Sequence, residues 1–378
     1  MEITKIPFNK PYLSGKETEY LNQTVANGHI SGNGPFTKKC HAFFEKRWGF
    51  KKCLLTTSCT DALEMCALLL DIKAGDELII PSFTFVSTAL AFSRQGAKIV
   101  FADSQSKHPN LNPNLLEDLI TPKTKAIVVV HYAGIACDMD HIMQIANKHK
   151  LIVIEDAAQC IDSYYKNKPL GSIGHLACFS FHETKNIQCG EGGMLAINDE
   201  QFLQRAEIIW EKGTNRAKFF RGEIDKYGWV DTGSSFLISD LLASFLYAQL
   251  ESLDRIQQKR INLWERYLKE LKPLEEKGFI TLPEIHSDAS NNAHMFFILL
   301  NNIEERTRLS KHLRSNQILA VFHYQSLHKS KYMKSLGNNQ NLKNSDNFEE
   351  CLLRLPLYYE LSETDQDLII KSIFNFFK

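Results

Sequence analysis

Between residues 50 and 200 the chain alternates short apolar, β-rich runs with segments of helical periodicity. The runs are Cys53–Thr56, Glu77–Pro81, Lys98–Ala102, Ala126–His131, Ile152–Glu155, Ala177–Phe181 and Met194–Asn198. Helical patterns fall at Thr60–Leu70, Val86–Gln95, Asn114–Leu119, Met139–His149 and Glu200–Lys212. Strands interleaved with helices at this spacing predict an α/β fold whose largely parallel sheet is covered on both faces. Ile127–Val130 and Leu151–Ile154 are apolar without a break, as strands buried on both sides should be.

From residue 240 the pattern changes. Asp240 to Ala243 leads into a long amphipathic stretch through Leu250, Leu253, Ile256, Leu263 and Tyr267, which predicts a helix connecting a large and a small domain. We therefore expect a large domain over 1–250 and a connecting helix with a small α/β domain over 251–378. In the latter, strands are expected at Phe296–Leu300 and Ala320–His323, and helices at Arg306–Ser315 and Asp365–Phe376. The Asn-rich stretch Gly337–Asp346 reads as an exposed loop.

Composition narrows the function classes. The formal net charge is zero, with 44 basic and 44 acidic side chains, which argues against a broad nucleic-acid footprint. Nine cysteines are scattered with no C-x-x-C pair, which suits reduced thiols in a cytoplasmic protein and gives no metal-ligand spacing. Met1–Lys10 lacks the apolar core of a signal peptide, and no stretch reaches the length of a membrane span.

The chemistry gathers where strands end. Ser180-Phe181-His182-Glu183-Thr184-Lys185-Asn186 closes one strand, and Gly190-Glu191-Gly192-Gly193 follows. A lysine held there can join a carbonyl cofactor as an imine and, once released, carry a proton. A surface lysine beside a turn is the plainer alternative. Glu155-Asp156-Ala157-Ala158-Gln159 ends another strand. A carboxylate in that position can keep the pyridine nitrogen of pyridoxal 5'-phosphate (PLP) protonated, and Gln159 can donate to the phenolic oxygen. An N-cap aspartate would read the same way. Thr56-Thr57-Ser58-Cys59-Thr60-Asp61 opens a helix whose amides can cradle a phosphate. Phe85 follows a further strand end, where it could stack on a pyridine ring or pack in the core.

Taken in order, Thr-Ser-Cys-Thr, Pro-Ser-Phe-Thr-Phe, Glu-Asp-Ala-Ala-Gln and Ser-Phe-His-Glu-Thr-Lys-Asn with Gly-Glu-Gly-Gly resemble the sugar aminotransferases of the DegT/DnrJ/EryC1/StrS family. The resemblance runs from Ile6-Pro7-Phe8 to Leu355-Pro356-Leu357. It implies the PLP-dependent transferase type I (aspartate aminotransferase) fold, PLP as cofactor, and a homodimer with shared active sites. It gives Lys185 the covalent link to the cofactor, Asp156 the pyridine nitrogen, Gln159 the ring oxygen and Phe85 the ring face. The turn Ser58-Cys59-Thr60 and the Ser180 hydroxyl would hold the phosphate. Ser235, in Gly233-Ser234-Ser235-Phe236-Leu237, aligns with an Asn that reaches the partner subunit's cofactor, while Leu237 replaces the family's usual Arg.

Val130-His131-Tyr132-Ala133-Gly134, Glu211-Lys212-Gly213-Thr214-Asn215-Arg216 and Phe322-His323-Tyr324 are similar to one branch, the dTDP-4-amino-4,6-dideoxygalactose transaminases of enterobacterial common antigen synthesis. That branch would aminate a dTDP-4-keto-6-deoxyhexose, with glutamate as donor. C3 or gluco-C4 amination, and a non-catalytic regulator on the same fold, stay open as alternatives. The basic, aromatic stretch Lys212–Lys226, with Arg216, Lys218 and Arg221, suits a nucleotide sugar. His182, His323 and Tyr324 are expected in the sugar pocket, and His131 there or in the core.

Overall fold

The computed structural model describes residues 5–378. The reading of Met1–Lys10 as no signal peptide therefore rests in part on residues 1–4, which lie outside the described residues.

Seven strands form the main sheet: β1 (Lys52–Thr56), β2 (Glu77–Pro81), β3 (Lys98–Ala102), β4 (Thr124–Val130), β5 (Ile152–Asp156), β6 (Leu176–Ser180) and β7 (Gly193–Ile197). Their order across the sheet is β1-β7-β6-β5-β4-β2-β3. The run from β6 to β3 is parallel throughout, and β7 is antiparallel to both of its neighbours. The seven expected strands are all present, with ends displaced by no more than a residue or two. The unbroken apolar runs are explained by burial on two sides. In β4, Ile127 and Val129 face one hydrophobic cluster while Val128 faces the other.

Helices cover both faces. Pro35–Trp48 and Asp240–Leu250 pack on one, and Cys59–Leu69 on the other. The helix at Met139–His149 matches its expected bounds, while Glu200–Lys212 resolves into a 3-10 turn and the helix Leu203–Trp210. The amphipathic stretch after residue 240 is two helices, Asp240–Leu250 and Leu253–Glu276, broken at Glu251-Ser252. A third cluster gathers Leu263, Trp264 and Tyr267 with Leu309, Leu313 and Ile369 around two short strands, β8 (Phe296–Leu299) and β9 (Leu352–Leu355).

Two expectations need correction here. Ala320–His323 is not a strand: only Val321 pairs, with Arg354, before the chain turns toward the cavity described below. The loop expected over Gly337–Asp346 ends early, because Lys343 starts a helix that runs to Cys351 and buries Ser345 and Phe348. No helix among the described residues is long and apolar enough to cross a membrane. All nine cysteines are unpaired.

Candidate active site

The parallel run directs the carboxyl ends of β2, β4, β5 and β6 to one edge, and β1, parallel to them across the reversed β7, ends there too. A cavity of about 510 Å³ opens at this edge. Its walls take Ser58, Cys59 and Thr60 from the turn after β1, Phe85 from the turn after β2, Asp156 and Gln159 from the end of β5, and Ser180, His182 and Lys185 from the end of β6. Phe8, His294, His323, Tyr324 and Arg354 close it from the other side.

Asp156 is the last residue of β5 and is 6% exposed. Its Oδ2 accepts from the Thr88 hydroxyl at 2.7 Å and its Oδ1 from the Ala158 amide at 3.2 Å. Thr88 is itself held by Thr84 at 2.9 Å. Burial pushes the Asp156 carboxyl up, while Thr88, the Ala158 amide and Lys185 pull it back. Gln159 accepts from the Ala133 amide at 2.6 Å and donates to the Tyr324 hydroxyl at 3.3 Å, which fixes its amide plane across the cavity.

Lys185 sits in the connection between β6 and β7. Burial lowers its pKa, with Arg354 adding to the effect and Asp156 opposing it. An amine of lowered pKa is a better nucleophile at neutral pH. The next residue, Asn186, anchors the backbone: its side-chain nitrogen donates to Gln257 and to the Asn292 carbonyl at 2.8 Å each, and its oxygen meets His294 at 2.9 Å.

Ser58 caps the helix Cys59–Leu69, accepting from the Asp61 amide at 3.1 Å. The Cys59 and Thr60 amides precede the first helical acceptors and so point out of the helix end into the cavity wall. Gly193, at the start of β7, lies directly against this turn, where a Cβ would overlap the Ser58 and Cys59 backbone. We expect Gly193→Ala to lower stability by about 1–3 kcal/mol through overpacking and to weaken phosphate binding, read as the thermal midpoint and as cofactor retained on dialysis.

The structure does not bring every expected residue to this cavity. Ser235 is exposed and bridges Glu211. Arg216 stacks on Phe220, its guanidinium carbon 4.9 Å from the ring centroid, and Lys218 lies on the same short helix, Arg216–Phe220. Arg221 pairs with Glu207 at 3.0 Å and lines a separate cavity of about 410 Å³. His131 is wholly buried, with Nε2 2.9 Å from Glu155 and Nδ1 accepting from the Cys137 amide at 3.0 Å. Glu155 also takes the Gly171, Ile173 and Gly174 amides, so this pair braces the sheet edge behind the cavity. No trio of His, Cys, Asp or Glu among the described residues is placed to hold a metal ion.

Sequence reasoning missed Thr88, His294 and Arg354. Thr88 stands three residues beyond Phe85 and had a usable signal, a hydroxyl on the turn that faces the β5 carboxylate. The other two come from the distant small cluster, and nothing local marks them.

The donor set fits PLP. Helix-end amides beside a hydroxyl suit a phosphate, a buried carboxylate suits a pyridinium, and a half-buried amine of lowered pKa suits a carbonyl.

Comparison with known proteins gives one family. The model of the DegT/DnrJ/EryC1/StrS aminotransferase family matches residues 11–374. The spore coat polysaccharide biosynthesis protein SpsC of Bacillus subtilis is 32% identical over 97% of this chain and 96% of its own length. A sugar aminotransferase described as putative, Spr1654 of Streptococcus pneumoniae, has been solved in PLP and PMP forms. The PLP form superposes with a TM-score of 0.90 at 27% identity, covering 98% of each chain. The PMP form gives 0.91 at 27% identity, covering 98% of this chain and 99% of its own.

Proposed function

Because the chain belongs to the DegT/DnrJ/EryC1/StrS aminotransferase family, we propose that it transfers an amino group from glutamate to C4 of a dTDP-4-keto-6-deoxyhexose, giving the galacto 4-amino-4,6-dideoxy sugar. At the coarser level the protein is a PLP-dependent sugar aminotransferase with the type I fold. The observation that carries the reading is the meeting of half-buried Lys185 and buried Asp156 with the Ser58–Thr60 turn in one cavity.

PLP supplies a carbonyl that exchanges amines and a ring that takes up electrons. The chain's residues do the rest. Lys185 would hold the cofactor covalently through its Nζ and, once freed, would use the same Nζ to remove or return the proton at the substrate's amine-bearing carbon. Asp156 keeps the ring nitrogen protonated, and Thr88 and the Ala158 amide hold that carboxylate in place. Gln159 donates to the ring oxygen, Phe85 covers the ring face, and Ser180 with the Cys59 and Thr60 amides binds the phosphate. His182, His323 and Tyr324 border the space left for the sugar. Since one amine delivers the proton, the pose of the sugar against Lys185 sets whether the new C–N bond is axial or equatorial. NMR of the product formed from dTDP-4-keto-6-deoxyglucose tests the assignment, and a gluco or C3 product would replace it.

The same reading has a large domain ending near residue 250, a cytoplasmic location and a homodimer with shared sites. Ser235 and the loop bearing Arg216, Lys218 and Arg221 lie outside their own chain's cavity, which supports a partner supplying them. The same surface exposes Phe220, Tyr227, Trp229 and Val230, an apolar set that suits burial against a second copy. Light scattering should give a dimer. A mixing experiment adds detail. Lys185→Ala and Ser235→Glu subunits, each inactive or weak alone, should regain up to about half of wild-type activity per heterodimer after joint dissociation and reassembly, since two-fold symmetry leaves one site free of both lesions. No recovery would mean that both residues serve their own subunit's site.

A further inference from the structure

Tyr324 belongs by sequence to the C-terminal part of the chain, yet its segment is fastened to the large sheet on both sides. Before it, the Tyr132 hydroxyl, just beyond β4, donates to the His323 carbonyl at 2.9 Å. After it, the Leu327 amide donates to the carbonyl of Ser82, the residue that follows β2, at 2.9 Å. Side chains double this second joint. The Ser82 hydroxyl oxygen accepts from the His328 amide at 3.3 Å and lies 2.7 Å from His328 Nδ1. A fully buried hydroxyl needs an acceptor for its hydrogen. Nδ1 is the one in reach among the described residues, so the network assigns the ring proton of His328 to Nε2. Apolar packing seals the joint: Leu327, Met333 and Leu342 share one hydrophobic cluster with residues of β2 and β3. His328 Nε2 stands 3.5 Å from Asp346, and a Ser-His-Asp row invites comparison with a nucleophilic triad. Ser82 is 0% exposed, however, and meets no substrate.

We propose that Ser82 and His328 are positioning residues for the cofactor ring: by fastening the segment that bears Tyr324, they hold the Gln159 amide on the ring oxygen. Gln159 has two N–H groups and one oxygen to place. The oxygen takes the Ala133 amide at 2.6 Å, and one N–H reaches the Tyr324 hydroxyl at 3.3 Å. The second N–H is left for the ring oxygen, and its direction depends on where Tyr324 stands. The turn that begins at Ser82 also carries Phe85, whose ring centroid is 5.9 Å from that of Tyr324. It carries Thr84 as well, which holds Thr88 at 2.9 Å against Asp156. One turn therefore sets the groups proposed for the ring face and the ring nitrogen directly, and the group for the ring oxygen through His328 and Tyr324. The small-domain strands can shift without carrying Tyr324 away from the ring.

Resting on the assignment of Gln159 to the ring oxygen, the joint is tested in the holoenzyme by pH titration of the bound cofactor's visible band. A donor on the ring oxygen draws charge from it and loosens the proton which that oxygen shares with the Lys185 nitrogen. Ser82→Ala and His328→Leu should therefore move the titration upward by as much as about one pH unit, the worth of one hydrogen bond. His328→Asn, whose amide oxygen can take the place of Nδ1, should return it toward wild type. Tyr324→Phe should shift it too, and adding Ser82→Ala to that variant should shift it no further. A lowered thermal midpoint with an unmoved titration in Ser82→Ala and His328→Leu would make the joint a structural brace alone and overturn the inference. Shifts that add in the double variant overturn the route through Tyr324. No shift in Gln159→Leu removes the ring-oxygen assignment, and the inference with it.

Discussion

Lys185→Ala should lose turnover by roughly four orders of magnitude, the upper end of what a positioned acid–base group contributes, while still retaining cofactor. Two separate parts of the cavity make this result specific. On the proposed reading the amine at Lys185 does the exchange and the proton movement, so no neighbour would replace it. The Ser58–Thr60 turn, Ser180, Asp156 and Gln159, proposed to hold the rest of the cofactor, line the same cavity and are untouched by the substitution. Borohydride reduction of the wild-type protein followed by peptide mass spectrometry should place the cofactor on Lys185 alone. An adduct on another lysine would end the assignment. The companion measurement is PLP content after gel filtration of the variant. Loss of all cofactor would show that the covalent link, and not the phosphate turn, supplies the affinity.

Asp156→Asn should slow the proton-transfer step by about 10²- to 10⁴-fold with PLP still bound. Asparagine keeps the size and one acceptor oxygen, so the Ala158 amide and the Thr88 hydroxyl can stay satisfied. What would disappear is the negative charge proposed to face the ring nitrogen, and with it the support for the ring's capacity to accept electrons. Single-turnover absorbance changes with glutamate would isolate that step from product release. Near-normal turnover would mean that this carboxylate does not face the nitrogen. Thr88→Val offers a milder version. It removes the 2.7 Å donor to Asp156 and leaves the charge, so its effect should be smaller than that of Asp156→Asn.

The large sheet was legible because its strands are buried on both sides and alternate with amphipathic helices. Glu77–Pro81 and Lys98–Ala102 are present with the bounds read from the chain. Glu17–Ala26 escaped notice for a physical reason: it buries only Glu17 and Thr24, so it has no apolar stripe to find, whereas Pro35–Trp48 does carry one in Phe36, Cys40, Phe44 and Trp48 and was readable. β9 was missed because Leu352-Leu353-Arg354-Leu355 carries a charge in the middle of a four-residue apolar run. Ala320–His323 failed in the opposite direction. Its apolar start pairs only at Val321, and the chain then leaves the sheet direction to deliver His323 and Tyr324 to the cavity. Residues recruited from distant segments, such as His294, carry no local signal at all.

The reversed strand β7 has a consequence for synthesis on the ribosome. β1 has β7 as its sheet partner, with Lys52 opposite Ile197 and Thr56 opposite Gly193. A nascent chain that has released β1 through β6 can assemble the parallel run, yet β1, though packed on Pro35–Trp48, has no strand to pair with and the β6 edge stands open. Both are templates for pairing with other chains. The turn Ser58–Thr60, proposed to hold the cofactor phosphate, follows β1, so it reaches the sheet edge only when Gly193–Ile197 has emerged and inserted between the two edges. Cofactor capture thus waits on a strand made long after the turn itself, and chains arrested before residue 193 should be the aggregating ones.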